Sequence, residues 1–489
     1  MYYQSTRSDL RSTDTAAILR GMAPDGGLFV LPSFDGLDFD WKTCVTKSEL
    51  EQAEIILGTM FPGYKDMHAI VTAAYKDKFD DGIIAPLSSV GDDYFLELYH
   101  GPTSAFKDVA LSILPHLIVN ARENEGVEDE IVILTATSGD TGKAALEGFH
   151  DVKDTKIIVF YPSEGVSDIQ KAQMTTQEGG NVYVCGVVGN FDDCQRGVKE
   201  TFTSLGSSEE LASKHVRLPS ANSINIGRLV PQIVYYFTSY SALLASGRIE
   251  FGDPVDFVVP TGNFGDIFAG YYAKMLGLPV GRLVCASNKN KILTDFINTG
   301  VYDTRRTFHK TSSPSMDILV SSNLERLLFH ASGNDTEFVR DCMKNLSENK
   351  SYTVPEKVMD VIRASFVAGF TPEEEVLQTI GELWNKYGYL CDTHTAVAAS
   401  VAKKYKKESG TENPVVILST ASPFKFSSTV LGAVGGEPVG DEFEQMEDLS
   451  RTTGVAIPKN LAALKDRKPL HTEVVGRDGI TDFVLNSIG

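Results

Sequence analysis

Between residues 129 and 205 the chain passes three times from a short apolar, β-branched stretch through a turn and directly into helical spacing. "DEIVILTAT" (129–137) leads through glycines into "KAALEGFHD", "KIIVFYP" (156–162) into "SDIQKAQMTTQEGG", and "NVYVCGVVG" (181–189) into "DDCQRGVKETFTSL". Farther on, "VDFVVP" (255–260) passes through "TGNFGD" into "IFAGYYAKML", and "PVVILST" (414–420) is another short apolar run. Continuous apolar runs of this length read as strands buried on both faces. Strands that alternate with helices are joined by crossovers above and below a mostly parallel sheet. The class is therefore α/β.

The 489 residues are enough for more than one core. Residues 1–90 carry few parallel-strand runs and a turn, "APDGGLFV", which marks an N-terminal subdomain. Residues 91–220 read as a smaller α/β domain and 221–489 as a larger one, with a charged helical insertion at about 320–400. The formal net charge is −20, with 45 Lys and Arg against 65 Asp and Glu, which argues against nucleic acid or an anionic membrane as a partner. Six scattered cysteines, with no C-x-x-C pair, predict neither a disulfide framework nor a metal site. A polar start and the lack of a membrane-length apolar run complete the expectation of a soluble, cytoplasmic protein.

The turn "TSGDTGKA" (137–144) approaches a nucleotide phosphate loop and fails at two places. Thr137 stands where the first glycine belongs, and Ala144 where the magnesium-binding hydroxyl belongs. What remains is a strand-to-helix turn whose N–H groups suit a small anion, or else a plain turn capped by Ser138 or Asp140. In "YHGPTSAFKDVALSILPHLI" (99–118) the helical pattern begins near Lys107. A lysine facing the positive end of the helix dipole has a depressed pKa and suits a nucleophilic role. The other reading is a surface lysine paired with Asp108. "PTGNFGD" (260–266) either cradles one phosphate or is an ordinary glycine turn. "LPSANSINIGRLVPQ" (218–232) clusters Ser220, Asn222, Ser223, Asn225 and Arg228, suited either to anion recognition or to helix capping by Asn222 or Ser223.

Taken together and in order, "HGPTSAFKD", "TSGDTGKAA", "SANSINIGRL", "PTGNFGD" and "STASPFKF" resemble the signature blocks of the threonine synthase family, in the long form shared by fungi and many bacteria. The resemblance spans nearly the whole chain. It implies fold type II of the pyridoxal-phosphate enzymes, with pyridoxal 5'-phosphate as cofactor and Lys107 as the catalytic residue that also holds it. It further implies a cofactor-phosphate cup of Gly262, Asn263, Phe264 and Gly265, and Thr420 opposite the pyridine nitrogen. The substrate carboxylate falls to Ser138, Gly139, Asp140 and Thr141, and the substrate phosphate to Asn222, Ser223 and Arg228, with Lys171 a weaker candidate. The implied reaction converts O-phospho-L-homoserine and water into L-threonine and phosphate, with no metal. The expected partner is that small molecule, and monomer and homodimer both remain open. Two departures stand out: Ser422 and Phe424 replace the family's more frequent histidine and alanine, and Asp140 stands where many relatives outside the threonine synthases carry asparagine. A fold-type-II dehydratase or β-replacing synthase would share Lys107 and the cup without needing a second phosphate site.

Overall fold

A computed structural model of the chain describes residues 1–137, 139–205 and 209–488. Two sheets organise it. The larger has six strands in the order Phe366–Phe370, Val280–Ser287, Val255–Pro260, Val415–Ser419, Asp93–Glu97 and Leu87–Val90. All neighbours are parallel except the last pair, an edge hairpin. The smaller sheet has five parallel strands: Val474–Val475, Val182–Val187, Thr155–Pro162, Glu130–Ala136 and Val216–Arg217. Every residue of Val255–Pro260 and of Val415–Ser419 is buried, as expected where helices cover both faces. The α/β class and the apolar strands read from the sequence are the ones formed.

The chain crosses between these sheets more often than the divisions at 90 and 220 suggest. Residues 87–97 pair in the larger sheet beside Val415–Ser419, and residues 474–475 return to the edge of the smaller one. The region at 320–400 is helical, but it also supplies Phe366–Phe370, the outer strand beside Val280–Ser287. Its run "FVAGF" is short and lies between two helical segments, so the helical pattern around it hides the strand. The first thirty residues form a small antiparallel sheet of three strands. Glu325 ties it to the body by accepting from Thr6 Oγ1 (2.5 Å) and from Arg7 Nε (2.9 Å) and Nη2 (2.8 Å). Among the described residues no helix is long and apolar enough to cross a membrane, and the six cysteines are buried and free.

The helix Lys107–Asn124 carries the residue of greatest interest, and it contains Pro115. Proline has no N–H to give to the carbonyl four residues earlier, so Leu111 O lacks its helical donor. The neighbouring helix Asp140–Phe149 brings Gly148 onto that carbonyl: a Cβ there would stand 2.0 Å from Leu111 O. The glycine thus lets the two helices that start at the site pack backbone to backbone. Gly148→Ala should destabilise the protein by about 1–3 kcal/mol, read as a lower urea midpoint at unchanged m-value.

Candidate active site

The last turn before the Lys107 helix is stitched to the end of the central strand Val415–Ser419. Leu98 N donates to Ser419 O (2.9 Å), Phe106 N to Thr420 O (2.9 Å) and Ser422 N to Ser104 O (3.1 Å), and Ala105 bridges to Ala421. Ser104 takes a positive φ of 58° to make this turn, and Asn460 braces it by donating to Pro102 O (2.8 Å). The Asp108 carboxylate closes the loop by accepting from Thr103 N (2.9 Å) and Thr103 Oγ1 (2.5 Å). Asp108 is therefore a loop staple and not the surface partner of Lys107. Burial pushes its carboxyl up to about 6.

Lys107 is the first residue of its helix and is 9% exposed. Its Nζ lies 3.8 Å from Asp140 Oδ2 and over the Phe106 ring at 4.5 Å. The amine is held below its ordinary value of 10.5, with burial the largest cause; the nearby Lys425 and Arg228 add to the shift and Asp140 opposes it. The sequence expects that direction from the helix dipole, whereas removal from water is the larger effect. Asp140 sits between two lysines. Its Oδ1 accepts from Lys425 Nζ at 2.5 Å and from Gln170 Nε2 at 3.0 Å. Burial disfavours its charge, but Lys425 and Lys107 outweigh that and hold the carboxyl well below the usual carboxylate range. Lys425, itself fully buried, also donates to Thr103 O (3.1 Å). Asp140, which the resemblance places only in the carboxylate turn, is the hinge of this charge arrangement.

The glycine turn is organised by the residue that rules out a phosphate loop. Thr137 Oγ1 accepts from Gly139 N (3.1 Å) and Gly142 N (3.0 Å). Those two amides are thus already used, whereas the N–H groups of Asp140 and Thr141 at the helix start donate to no described residue. Gly142 is required, since a Cβ there would meet Thr137 Cγ2 at 2.2 Å, and one at Gly139 would meet Gln170 Nε2 at 2.4 Å. Thr141 is half-buried; Ser138 lies outside the described residues. Lys143 points away, paired with Glu147 Oε2 (2.9 Å) and Gln177.

The second glycine turn forms a cup. Its carbonyls face backwards: Gly262 O accepts from Ser321 Oγ (2.7 Å), and Asn263 O from Asn323 N (3.1 Å) and Nδ2 (2.9 Å). The N–H groups of Gly262, Asn263, Phe264 and Gly265 donate to no described residue. Phe264 holds φ at +61°, costly for a bulky side chain, with its ring buried against Phe366. Gly262 has room for no side chain, since a Cβ would stand 2.6 Å from Ser315 O. Four unpaired amides at the start of helix Gly265–Met275 fit the phosphate of a cofactor. Thr420 is buried at the strand end beside the Lys107 turn. Ser422 caps the turn Pro423–Phe426, and Phe424 fills the core behind it, so these two departures shape packing and leave Lys425 in place.

The third turn is capped by neither Asn222 nor Ser223. Asn225 does this, accepting from Gly227 N (2.8 Å) and donating to Ile18 O (2.9 Å). Asn222 is exposed and Ser223 half-buried, and Lys171 is exposed on its own helix. Arg228 is 6% exposed, close enough to depress Lys107, and the single hydrogen bond of its guanidinium among the described residues is a long one to Ala221 O (3.4 Å). Its Nε has no partner, and burial pulls the guanidinium down to about 10. A buried cation without an anion is costly, so this one marks a place that an anionic ligand completes.

Sequence reading missed Asp266, the second residue of the cup's helix. Tyr235 OH (2.6 Å) and Tyr236 OH (3.2 Å) donate to its Oδ1, and its Oδ2 is buried without a partner among the described residues. Burial raises its carboxyl to about 6 from the ordinary 3.8, although Lys107 and the tyrosines oppose the shift. A carboxyl with a raised folded pKa costs stability once ionised, so the penalty is absent below about pH 4 and complete above about pH 6. Asp266→Asn, which keeps the Oδ1 acceptor, should therefore gain stability over the parent by roughly 1–3 kcal/mol more at pH 7 than at pH 4. Urea titrations at the two pH values measure the difference.

Comparison with known proteins fits this geometry. Residues 88–421 match the family model "Pyridoxal-phosphate dependent enzyme", and residues 395–474 match "Threonine synthase, C-terminal". The chain is 39% identical over 433 residues to human "Threonine synthase-like 1", covering 86% of this chain and 57% of that protein. It thus spans little more than half the length of that relative. It is 37% identical to the threonine synthase of Pseudomonas aeruginosa, covering 91% of this chain and 94% of that one. The crystal structure of PLP-bound threonine synthase from Brucella melitensis superimposes with a TM-score of 0.87 at 37% identity, over 100% of this chain and 98% of that one. The chain belongs to the threonine synthase family of pyridoxal-phosphate dependent enzymes.

Proposed function

We propose that the chain is a threonine synthase, converting O-phospho-L-homoserine and water into L-threonine and inorganic phosphate in the cytoplasm. One observation carries the reading furthest: a buried Arg228 with no anionic partner among the described residues, within electrostatic reach of a buried Lys107. An enzyme without a phosphorylated substrate has no use for a further anion seat beyond the cofactor cup and the carboxylate turn.

The residues fit pyridoxal 5'-phosphate. Lys107 would hold it covalently, the amides of Gly262, Asn263, Phe264 and Gly265 would take its phosphate, and the Thr420 hydroxyl would face its ring nitrogen. When bound, the group supplies an electron sink for negative charge developing at the substrate's Cα. The protein supplies the rest. Arg228, with Asn222 and Ser223, binds the substrate phosphate, and the turn Ser138–Gly139–Asp140–Thr141 receives the carboxylate, with the N–H groups of Asp140 and Thr141 available to it. Lys107 takes the proton from Cα. A second proton leaves Cβ and phosphate leaves Cγ; a proton is returned to Cγ, the oxygen of water bonds to Cβ as it gives up a proton, a proton is returned to Cα, and the one left over goes out on the phosphate. Lys107 is the group placed to carry these protons. Its amine is dry and only loosely held by Asp140 at 3.8 Å, because Asp140 spends its charge on Lys425 at 2.5 Å. An Asp140 charge left uncompensated would hold Lys107 protonated, so Lys425 works by occupying it.

Incubation with O-phospho-L-homoserine should release threonine and phosphate in equal amounts. Release of neither, with 2-oxobutanoate formed from threonine, would assign the chain to a dehydratase instead. Lys107→Ala should lower turnover by at least about 100-fold. Arg228→Ala should raise KM for the phosphorylated substrate by about 10–100-fold while the cofactor's absorbance is retained.

A further inference from the structure

Two loops assigned above to different anions are held by one side chain. Asn323 is fully buried, and its carboxamide is completely used. Its Nδ2 donates to Asn263 O (2.9 Å), in the cofactor cup, and to Ser223 O (3.2 Å), in the turn beside Arg228. Its Oδ1 accepts from Arg326 Nη1. Arg326 is the largest side chain in the fully buried set. It donates through Nη2 to Ile224 O (2.6 Å) and through Nε to Phe29 O (3.0 Å), so the same brace reaches the N-terminal sheet.

The two Nδ2 hydrogens leave a planar amide at a fixed angle, so the Asn263 and Ser223 carbonyls have a fixed relation to each other. In a trans peptide the following N–H points opposite to the carbonyl. Asn323 therefore aims the Phe264 and Ile224 N–H groups, one from each loop, away from itself. Neither of these donates to a described residue. Ser321, two residues earlier, holds only the cup, through Gly262 O. A spacer between two anion seats acts as a ruler for the molecule that must span them.

We propose that Asn323, braced by Arg326, is a positioning residue that sets the cofactor-phosphate loop in register with the substrate-phosphate turn and so fixes the length of substrate accepted. This rests on the proposed function. The test compares holoenzyme of the parent, Asn323→Ala and Ser321→Ala. Three quantities are read: cofactor Kd by absorbance titration, Kd for the phosphonate in which CH2 replaces the bridging oxygen of O-phospho-L-homoserine, and the preference for that phosphonate over its homologue one methylene shorter. Asn323→Ala should raise both Kd values by about 10-fold and erode the length preference severalfold. Ser321→Ala should raise the cofactor Kd and leave the length preference intact. The proposal is overturned if Asn323→Ala lowers the melting temperature with both Kd values and the preference unchanged, or if it behaves like Ser321→Ala. Should Asn323→Ala fail to fold, Asn323→Asp, which keeps the acceptor for Arg326 and lacks both donors, is read in the same way. A parent enzyme that releases no phosphate from O-phospho-L-homoserine sinks the functional reading. The register is then still decided by cofactor Kd and by Kd for inorganic phosphate in parent and variant, which should weaken together.

Discussion

A carboxylate and two lysines are buried side by side, and much of the site follows from how they divide their charge. Asp140 between Lys425 and Lys107 is a buried ionic arrangement, which makes it weak evidence of stability, since desolvating three ions consumes most of what their attraction returns. Its value lies in asymmetry. The short contact goes to Lys425, fully enclosed and also bonded to Thr103 O, while Lys107 is left with the long one. The surrounding stitches, from Ser419, Thr420 and Ser422 to the 98–106 segment, keep that inequality from relaxing. A symmetric pair of lysines would share the carboxylate and neither would be poised.

The parts of the site legible in the sequence are those written in contiguous residues. Strand, glycine turn and helix start follow one another in the chain, so "TSGDTGKA" and "PTGNFGD" could be placed at helix N-termini before any coordinates, and Lys107 likewise. The parts that were not legible depend on distance along the chain. Lys425 and Asp140 meet across 285 positions, and Asn323 joins residues 60 and 100 positions before it. "SSNLERLLFH" reads as part of a charged helical insertion, and nothing in that pattern says that Glu325 and Arg326 are buried. A buried arginine satisfied by backbone carbonyls leaves no complementary acid for the eye to pair with it.

Misread local details share one cause. Capping of the third turn by Asn225 and the satisfaction of two turn amides by Thr137 both come from side chains bonding to nearby backbone. Several residues in each stretch are chemically able to do so, and the backbone path chooses among them. Thr137 is instructive. The substitution that removes a nucleotide loop by motif also supplies the hydroxyl that makes the remaining turn rigid.

The return of residues 474–475 to the edge of the smaller sheet has a consequence for how the chain is made. Strand Val182–Val187 pairs on one side with Thr155–Pro162, and on the other with a segment that leaves the ribosome almost three hundred residues later. Asp93–Glu97 likewise waits for Val415–Ser419. Through most of synthesis both strands present an unpaired edge, the surface through which nascent chains join one another. The nascent protein is thus most open to edge-to-edge association at these two strands, long before it has a site to protect.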